Sequence, residues 1–320
     1  MKTLLYGFAL LAAFNACSTA FGAERPRVCP VPLVSEAPAL DGKTNDAAWT
    51  KAFPMDNFVV LGDSQSAAVN QTVFRAVHTA DALFLAIECR EPRMDRLQTV
   101  TQKIHRADSV EIFVQPEAGG PYWQIVANAD GAREEYRNTD KQPNTPSREI
   151  RAYRASDSYG MELKLPFDTF GKRPAPNAEW RFNIARNATL PGADQLSTWS
   201  PLPGSFHDTD NFGSLVFFDA GTDRAAINRA MFKRRYAALA AEITAYEKMY
   251  RKYDDVFYNY AVKFIAATGW EDLRGKAERL EQLSPDEFMR TEQELEKIAG
   301  RLPELELARN KMLKQRIFRH

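Results

Sequence analysis

The chain is poor in the residues that build metal and redox centres, with four histidines and three cysteines among 320 residues. These form neither a Cys-x-x-Cys pair nor a His-Glu-x-x-His helix, which excludes the commonest zinc and thioredoxin-like chemistries. A Gly-x-Ser-x-Gly nucleophile elbow is missing too. Net charge is lacking as well: Lys+Arg and Asp+Glu both number 42. No global field exists to draw in a polyanion, so nucleic acid is not an expected partner. A hydrophobic share of 44% beside 26% charged residues excludes collagen-like and fully disordered chains.

One apolar run occurs, at residues 4–14 behind Lys2, and it is too short for a permanent membrane span. With the small residues around Ala20 and Gly22 it reads as a signal peptide over residues 1–22, so the mature protein is expected to be secreted or periplasmic. Cleavage ahead of Cys17, with lipid attached there, is the other route. Either leaves Cys29 and Cys89 in an oxidising compartment, where a disulfide between them is expected. It would close a loop of about 60 residues, for about 4 kcal/mol.

From residue 28 to 219 the apolar residues fall in short alternating runs broken by Gly, Pro, Asn and Asp, which is the pattern of strands. Examples are residues 73–78, 83–89, 109–114, 123–127, 149–154, 160–164, 180–186 and 215–218. No helix-length period intervenes, so the reading is mainly β, an antiparallel β-sandwich. From residue 222 to 320 the spacing changes to three and four, as in Met231, Tyr236, Leu239, Ile243, Tyr246 and Tyr250. This is an α-helical C-terminal region, expected as a hairpin or small bundle. Ser284-Pro285-Asp286-Glu287 reads as a capping box, and Pro303 as the opening of one more helix. The aromatic stripe Tyr246, Tyr250, Tyr253, Phe257, Tyr260 and Phe264 is expected to pack within the chain, with self-association through the helical tail as the alternative.

Four segments occur in order: Leu40-Asp41-Gly42 leading to Trp49; Asp108-Ser109-Val110-Glu111-Ile112-Phe113; Trp180-Arg181-Phe182-Asn183-Ile184-Ala185-Arg186; and Ser197-Thr198-Trp199-Ser200-Pro201 running on to Phe206-His207-Asp208 and Phe212. Together they resemble the family 9 carbohydrate-binding modules and the wider DOMON-like group of sandwiches. The resemblance implies a non-catalytic module that binds a saccharide or polysaccharide, in polysaccharide breakdown or uptake. Members of the family hold a terminal sugar between two Trp faces, and at those two positions this chain carries His105 and Phe206. Glu111 and Asn128 match the family's polar ligands, whereas Val126 stands where an Arg would be. Asp208 and Asp210 are the candidates for calcium, a hard cation that takes clustered oxygens. Trp49, Trp180 and Trp199 are expected in the core.

No carboxylate pair suited to glycoside hydrolysis is apparent, because Asp108 and Glu111 fall three residues apart on a strand and face opposite ways. An alternative within the DOMON-like group is a haem b protein, for which Met94, Lys103 and His105 are the available ligands. A structural or assembly module without ligand is the third reading.

Overall fold

The computed structural model describes residues 27–190, 193–252 and 255–317, so the expected signal segment and Cys17 lie outside the described residues. The chain divides into two compact units, with the boundary between Arg224 and Ala225.

The first unit is a sandwich of two sheets. Its strands are β1 (Val28–Pro32), β2 (Val59–Val60), β3 (Asp63–Ala67), β4 (Thr72–His78), β5 (Ala82–Arg90), β6 (Ser109–Gln115), β7 (Trp123–Ala127), β8 (Arg133–Arg137), β9 (Asp140–Gln142), β10 (Glu149–Arg154), β11 (Ser158–Pro166), β12 (Glu179–Leu190), β13 (Ala193–Thr198) and β14 (Gly213–Phe218). The larger sheet runs β3-β2-β13-β12-β6-β7-β8-β9, and the smaller β10-β11-β5-β4. The pairings are antiparallel except for β1, which lies parallel to β14. Twelve residues long, β12 serves two neighbours on one edge: its first residues pair with β14 and its last six with β13.

Alternation sends Val110, Ile112 and Val114 of β6, with Trp180, Phe182 and Ile184 of β12, into one core shared with Leu83, Leu85 and Ile87 of β5. Trp199 joins this core, while Trp49 is buried in a smaller cluster against Val77, Phe84 and Ala86. Gly160 of β11 has a steric reason to be glycine, since a Cβ there would stand 2.5 Å from the Ile87 carbonyl oxygen.

The Leu40-Asp41-Gly42 turn is fastened by Glu162 from β11. Its carboxylate accepts the N–H groups of Asp41 and Gly42 at 3.1 and 2.8 Å and the Trp49 indole N–H at 3.1 Å. Gly42 sits at a φ of 82°, where a side chain is disfavoured. Burial holds the Glu162 carboxyl above its ordinary pKa despite these donors.

The expected disulfide is not formed. Cys29 and Cys89 are buried free thiols: the Cys29 Sγ approaches the Pro30 carbonyl oxygen at 3.7 Å, and the Cys89 Sγ accepts the Thr72 hydroxyl at 3.8 Å. They sit on strands of opposite sheets and both face the one core between them, and burial pushes both thiols up in pKa.

The second unit holds α1 (Arg224–Arg251), α2 (Asp255–Ala267), α3 (Trp270–Glu278) and α4 (Pro285–Ile317). Lys233 pairs with Glu281, Arg235 with Glu292 and Glu296, and the Tyr250 hydroxyl donates to the Leu305 carbonyl. Numbers rise together along α1 and α4, so these helices run in the same direction, with α2 and α3 as the return. Pro303 opens no new helix, because it lies inside α4. Pro lacks the N–H that would bond the carbonyl four residues back, yet the buried stripe Leu295, Ile298, Leu302 and Leu305 runs straight through it and keeps the helix whole. Ser284 and Glu287 exchange the hydrogen bonds of a capping box. Of the expected aromatic stripe, Tyr246, Tyr250 and Phe257 are buried in this unit's own core, and Tyr253 lies outside the described residues. Among the described residues no helix is long and apolar enough to cross a membrane.

Candidate functional site

Because Val110, Ile112 and Val114 point into the inter-sheet core, Ser109, Glu111, Phe113 and Gln115 of β6 point to the outer face of the larger sheet. Strand register then fixes the rest of that face. Glu111 lies level with Ala185 of β12 and Val126 of β7, and Val126 is level with Glu134 of β8. The next row holds Asn183, Phe113, Gln124 and Tyr136, and a third pairs Asn187 with Ser109.

Glu111 is 4% exposed and is held by amides rather than by a cation. Gln124 Nε2 donates to its Oε2 at 2.6 Å and Asn187 Nδ2 to its Oε1 at 2.7 Å. A carboxylate has about four lone-pair positions, so two acceptor positions remain for a hydroxyl donor. Beside it, Asn183 Nδ2 donates to the Thr198 hydroxyl at 2.7 Å, and the Ser200 N–H donates to Asn183 Oδ1 at 2.9 Å. The face is thus a patch of fixed acceptors and amides with Ala185 and Val126 between them.

Phe206 lies on this same face, but its ring is covered. It packs with Phe113, Tyr122, Ala185, Leu202 and Phe212 and is 8% exposed, so its main role is to seat the loop of residues 199–212 on the sheet. The exposed ring of that loop is His207, held at both ends: its Nδ1 is 2.7 Å from the Tyr122 hydroxyl, and its ring stands edge-on to Phe113 at 5.7 Å. Burial raises the Tyr122 pKa.

Asn128 is turn and tether. Its Oδ1 accepts the N–H groups of Asp130 and Ala132, and its Nδ2 donates to the Val100 carbonyl at 2.8 Å. That carbonyl belongs to the loop of residues 97–107, which bears His105. His105 is exposed on a short 3-10 turn over residues 104–106. The loop is fixed further by Asp108, which accepts the Gln98 N–H at 2.7 Å, and by Glu134, which accepts the Lys103 and Ile104 N–H groups at 3.1 Å each. Glu134 also takes the Tyr136 hydroxyl and the Lys141 ammonium. Burial alone would raise its pKa, but these donors outweigh it and hold the carboxyl at about 2. Burial and the bond to Glu134 push the Tyr136 hydroxyl up to about 12.

The calcium expectation for Asp208 and Asp210 finds no ligand cluster. Among the described residues no group of three or more His, Cys, Asp or Glu is arranged to hold a metal ion. Asp208 accepts the Asn211 side-chain amide at 2.9 Å, whereas at Asp210 it is the backbone carbonyl that accepts the Arg181 guanidinium, at 2.9 Å, and the residue is exposed. Of the residues named for haem, Met94 packs half-buried against the inter-sheet core, whereas Lys103 and His105 are exposed.

The structure therefore brings Glu111 and Phe206 to one face and leaves Asn128 in the turn between β7 and β8 and His105 on the loop of residues 97–107. Gln124, Asn187, Glu134, Tyr122 and His207 were not singled out in the sequence. Asn183, Ala185 and Asn187 recur at every second position of β12, which is the signal that could have marked them as one face.

Residues 40–220 match the family described as carbohydrate family 9 binding domain-like. Among solved structures, the chain is similar to a carbohydrate-binding module family 9 from Caldicellulosiruptor kristjanssonii in complex with cellotriose, at 15% identity over 61% of this chain and 96% of that one, with a TM-score of 0.47. The same description in complex with glucose matches at 14% identity over 61% and 99% of the two chains, also with a TM-score of 0.47. A Bacteroides uniformis protein matches at 15% identity over 60% and 100%, with a TM-score of 0.49. No curated protein matches the chain in sequence.

Proposed function

The chain belongs to the carbohydrate family 9 binding domain-like family, and on that premise we propose that it is an exported, non-catalytic protein that binds a saccharide on the outer face of its larger sheet. The observation that carries the reading is Glu111: a buried carboxylate fixed by two side-chain amides, with acceptor positions left over, inside the residues that match the family. Sugar hydroxyls are donors, and a preorganised acceptor gains from them without first reorganising. The exposed His207 ring and the loop bearing His105 supply the walls. Residues 1–22 would direct export, and the role would lie in polysaccharide breakdown or uptake.

With no Trp face and no Arg fork at the family positions, the affinity should be modest, a dissociation constant of about 0.1–1 mM, or roughly 4–5.5 kcal/mol. A glycan array on the purified protein, followed by calorimetry on the best ligand, tests this. Glu111→Gln should remove a charge-assisted hydrogen bond, about 1.5–3 kcal/mol of binding, and a melting curve run alongside checks that the fold survives. A glycan whose affinity ignores this change binds elsewhere. If no glycan binds at all, the sandwich is a structural module.

A further inference from the structure

We propose that the saccharide bound at this face carries an acidic group, a carboxylate or a sulfate, recognised by Lys103, His105 and Arg106. The inference rests on the saccharide-binding reading above and names the class of sugar within it.

Between Asp95 and Asp108 the chain has no acidic residue, yet it carries Arg96, Lys103, His105 and Arg106. The last three are exposed and fall within four positions of one loop. The ion pairs nearby belong to other residues, among them Arg93 with Asp95 and Lys141 with Glu134, and no described carboxylate pairs with Lys103, His105 or Arg106. The acids that could neutralise them are already engaged. Asp108 accepts the backbone N–H groups of Gln98 and Thr189, Asp130 takes Arg154 and the Thr99 hydroxyl, and Glu134 takes Lys141.

Charges on a surface loop are usually solvated and mobile, and this loop differs by being pinned to the sheet at four places. Gln98 is tied to Asp108, Thr99 to Asp130, Val100 to Asn128, and Lys103 and Ile104 to Glu134. Lys103 itself sits at a φ of 53°, in the left-handed region, which costs an L residue about 1–2 kcal/mol and is where glycine would ordinarily stand. The conformation aims two consecutive N–H groups at one carboxylate while an ammonium is kept at the position. The backbone that carries these cations is thus already ordered when an anion arrives, and only their side chains remain to be fixed.

Glu134 lies in the same row of the sheet as Glu111 and is compensated by Lys141, whereas Glu111 is bonded only to amides. An acidic sugar must therefore place its anion toward the loop and its hydroxyls toward Glu111. That divides the face into a hydroxyl-reading part and an anion-reading part.

The test uses the intact protein and three oligosaccharides of equal length, one neutral, one built of uronic acids and one sulfated. The expected result is that the uronate or the sulfated oligomer binds at least about tenfold more tightly than the neutral one, with an advantage that shrinks as salt is raised; whichever of the two is preferred identifies the anion. In the double variant Lys103→Gly and Arg106→Gln, where glycine suits the backbone conformation, the anionic oligomer should fall to within about twofold of the neutral one measured on the same variant. A neutral oligomer bound as well as the anionic ones, or a preference that survives the double variant, overturns the inference and leaves saccharide binding standing. If no oligosaccharide of any charge binds, the reading beneath it falls first.

Discussion

At the scale of single residues, the outer face separates groups that hold a loop from groups that can hold a ligand. Phe206 is of the first kind, enclosed by five apolar neighbours. Truncating it removes a buried ring and leaves a cavity, so Phe206→Ala should cost about 3 kcal/mol of stability, read as a lowered urea midpoint at constant slope. A stability change below about 0.5 kcal/mol would mean that the ring is open and available to a sugar after all. The two core cysteines give a second residue-level test. As buried thiols with raised pKa values, Cys29 and Cys89 should resist a thiol reagent in the native protein and both react once it is unfolded in denaturant without reductant. Failure of either to react in the unfolded, unreduced chain would restore the disulfide.

At the scale of elements, the loop of residues 97–107 depends on a strand that is hard to see in the sequence. β8, Arg-Glu-Glu-Tyr-Arg, carries none of the apolar alternation that marks its neighbours, yet Glu134 and Glu135 are both buried. Each is matched by polar partners: Glu135 by Arg148 at 2.7 Å and by Arg133 at 3.3 Å, and Glu134 by Lys141, Tyr136 and two backbone N–H groups. Only the partners, brought from residues 10 or more positions away in several cases, make the strand intelligible. Glu134 also makes the loop sensitive to acid. Its folded pKa of about 2 is below the ordinary 4.5, so its contribution is complete above about pH 4.5 and is lost as pH falls from there toward 2. Hydrogen exchange should show the Lys103 and Ile104 amides losing protection across that window in the native protein. In Glu134→Gln, protection should be lower at neutral pH and nearly flat with acidification. Equal profiles in the two proteins would remove Glu134 as the anchor.

At the scale of the whole molecule, the chain is two compact units, and the family match at residues 40–220 falls within the sandwich. A protein ending at Arg224 should therefore bind the same glycan with an affinity within about twofold of the full chain, measured by calorimetry; a loss of tenfold or more would assign the helices a part in recognition. The sandwich and the helical region were legible from the sequence because alternation and the 3.6-residue period are local, and burial of one face is what imposes them. The order of the motifs around Trp49, Glu111, Trp180 and Trp199 was legible for the same reason, each being a contiguous string. Helix continuity through Pro303 was not, because the local rule against proline was outweighed by a buried stripe on both sides of it. Nor was the site legible in full. Glu111 could be marked from its motif, but its partners Gln124 and Asn187 come from two other strands, and the covered state of Phe206 and the exposure of His207 follow from how a loop folds back over the sheet. Which segments alternate and which carry a helical period is written locally, since those patterns depend on neighbours along the chain. Register, loop packing and the pairing of buried charges were decided only by the tertiary structure, because each joins residues that are distant in sequence and becomes favourable only when both are withdrawn from water together.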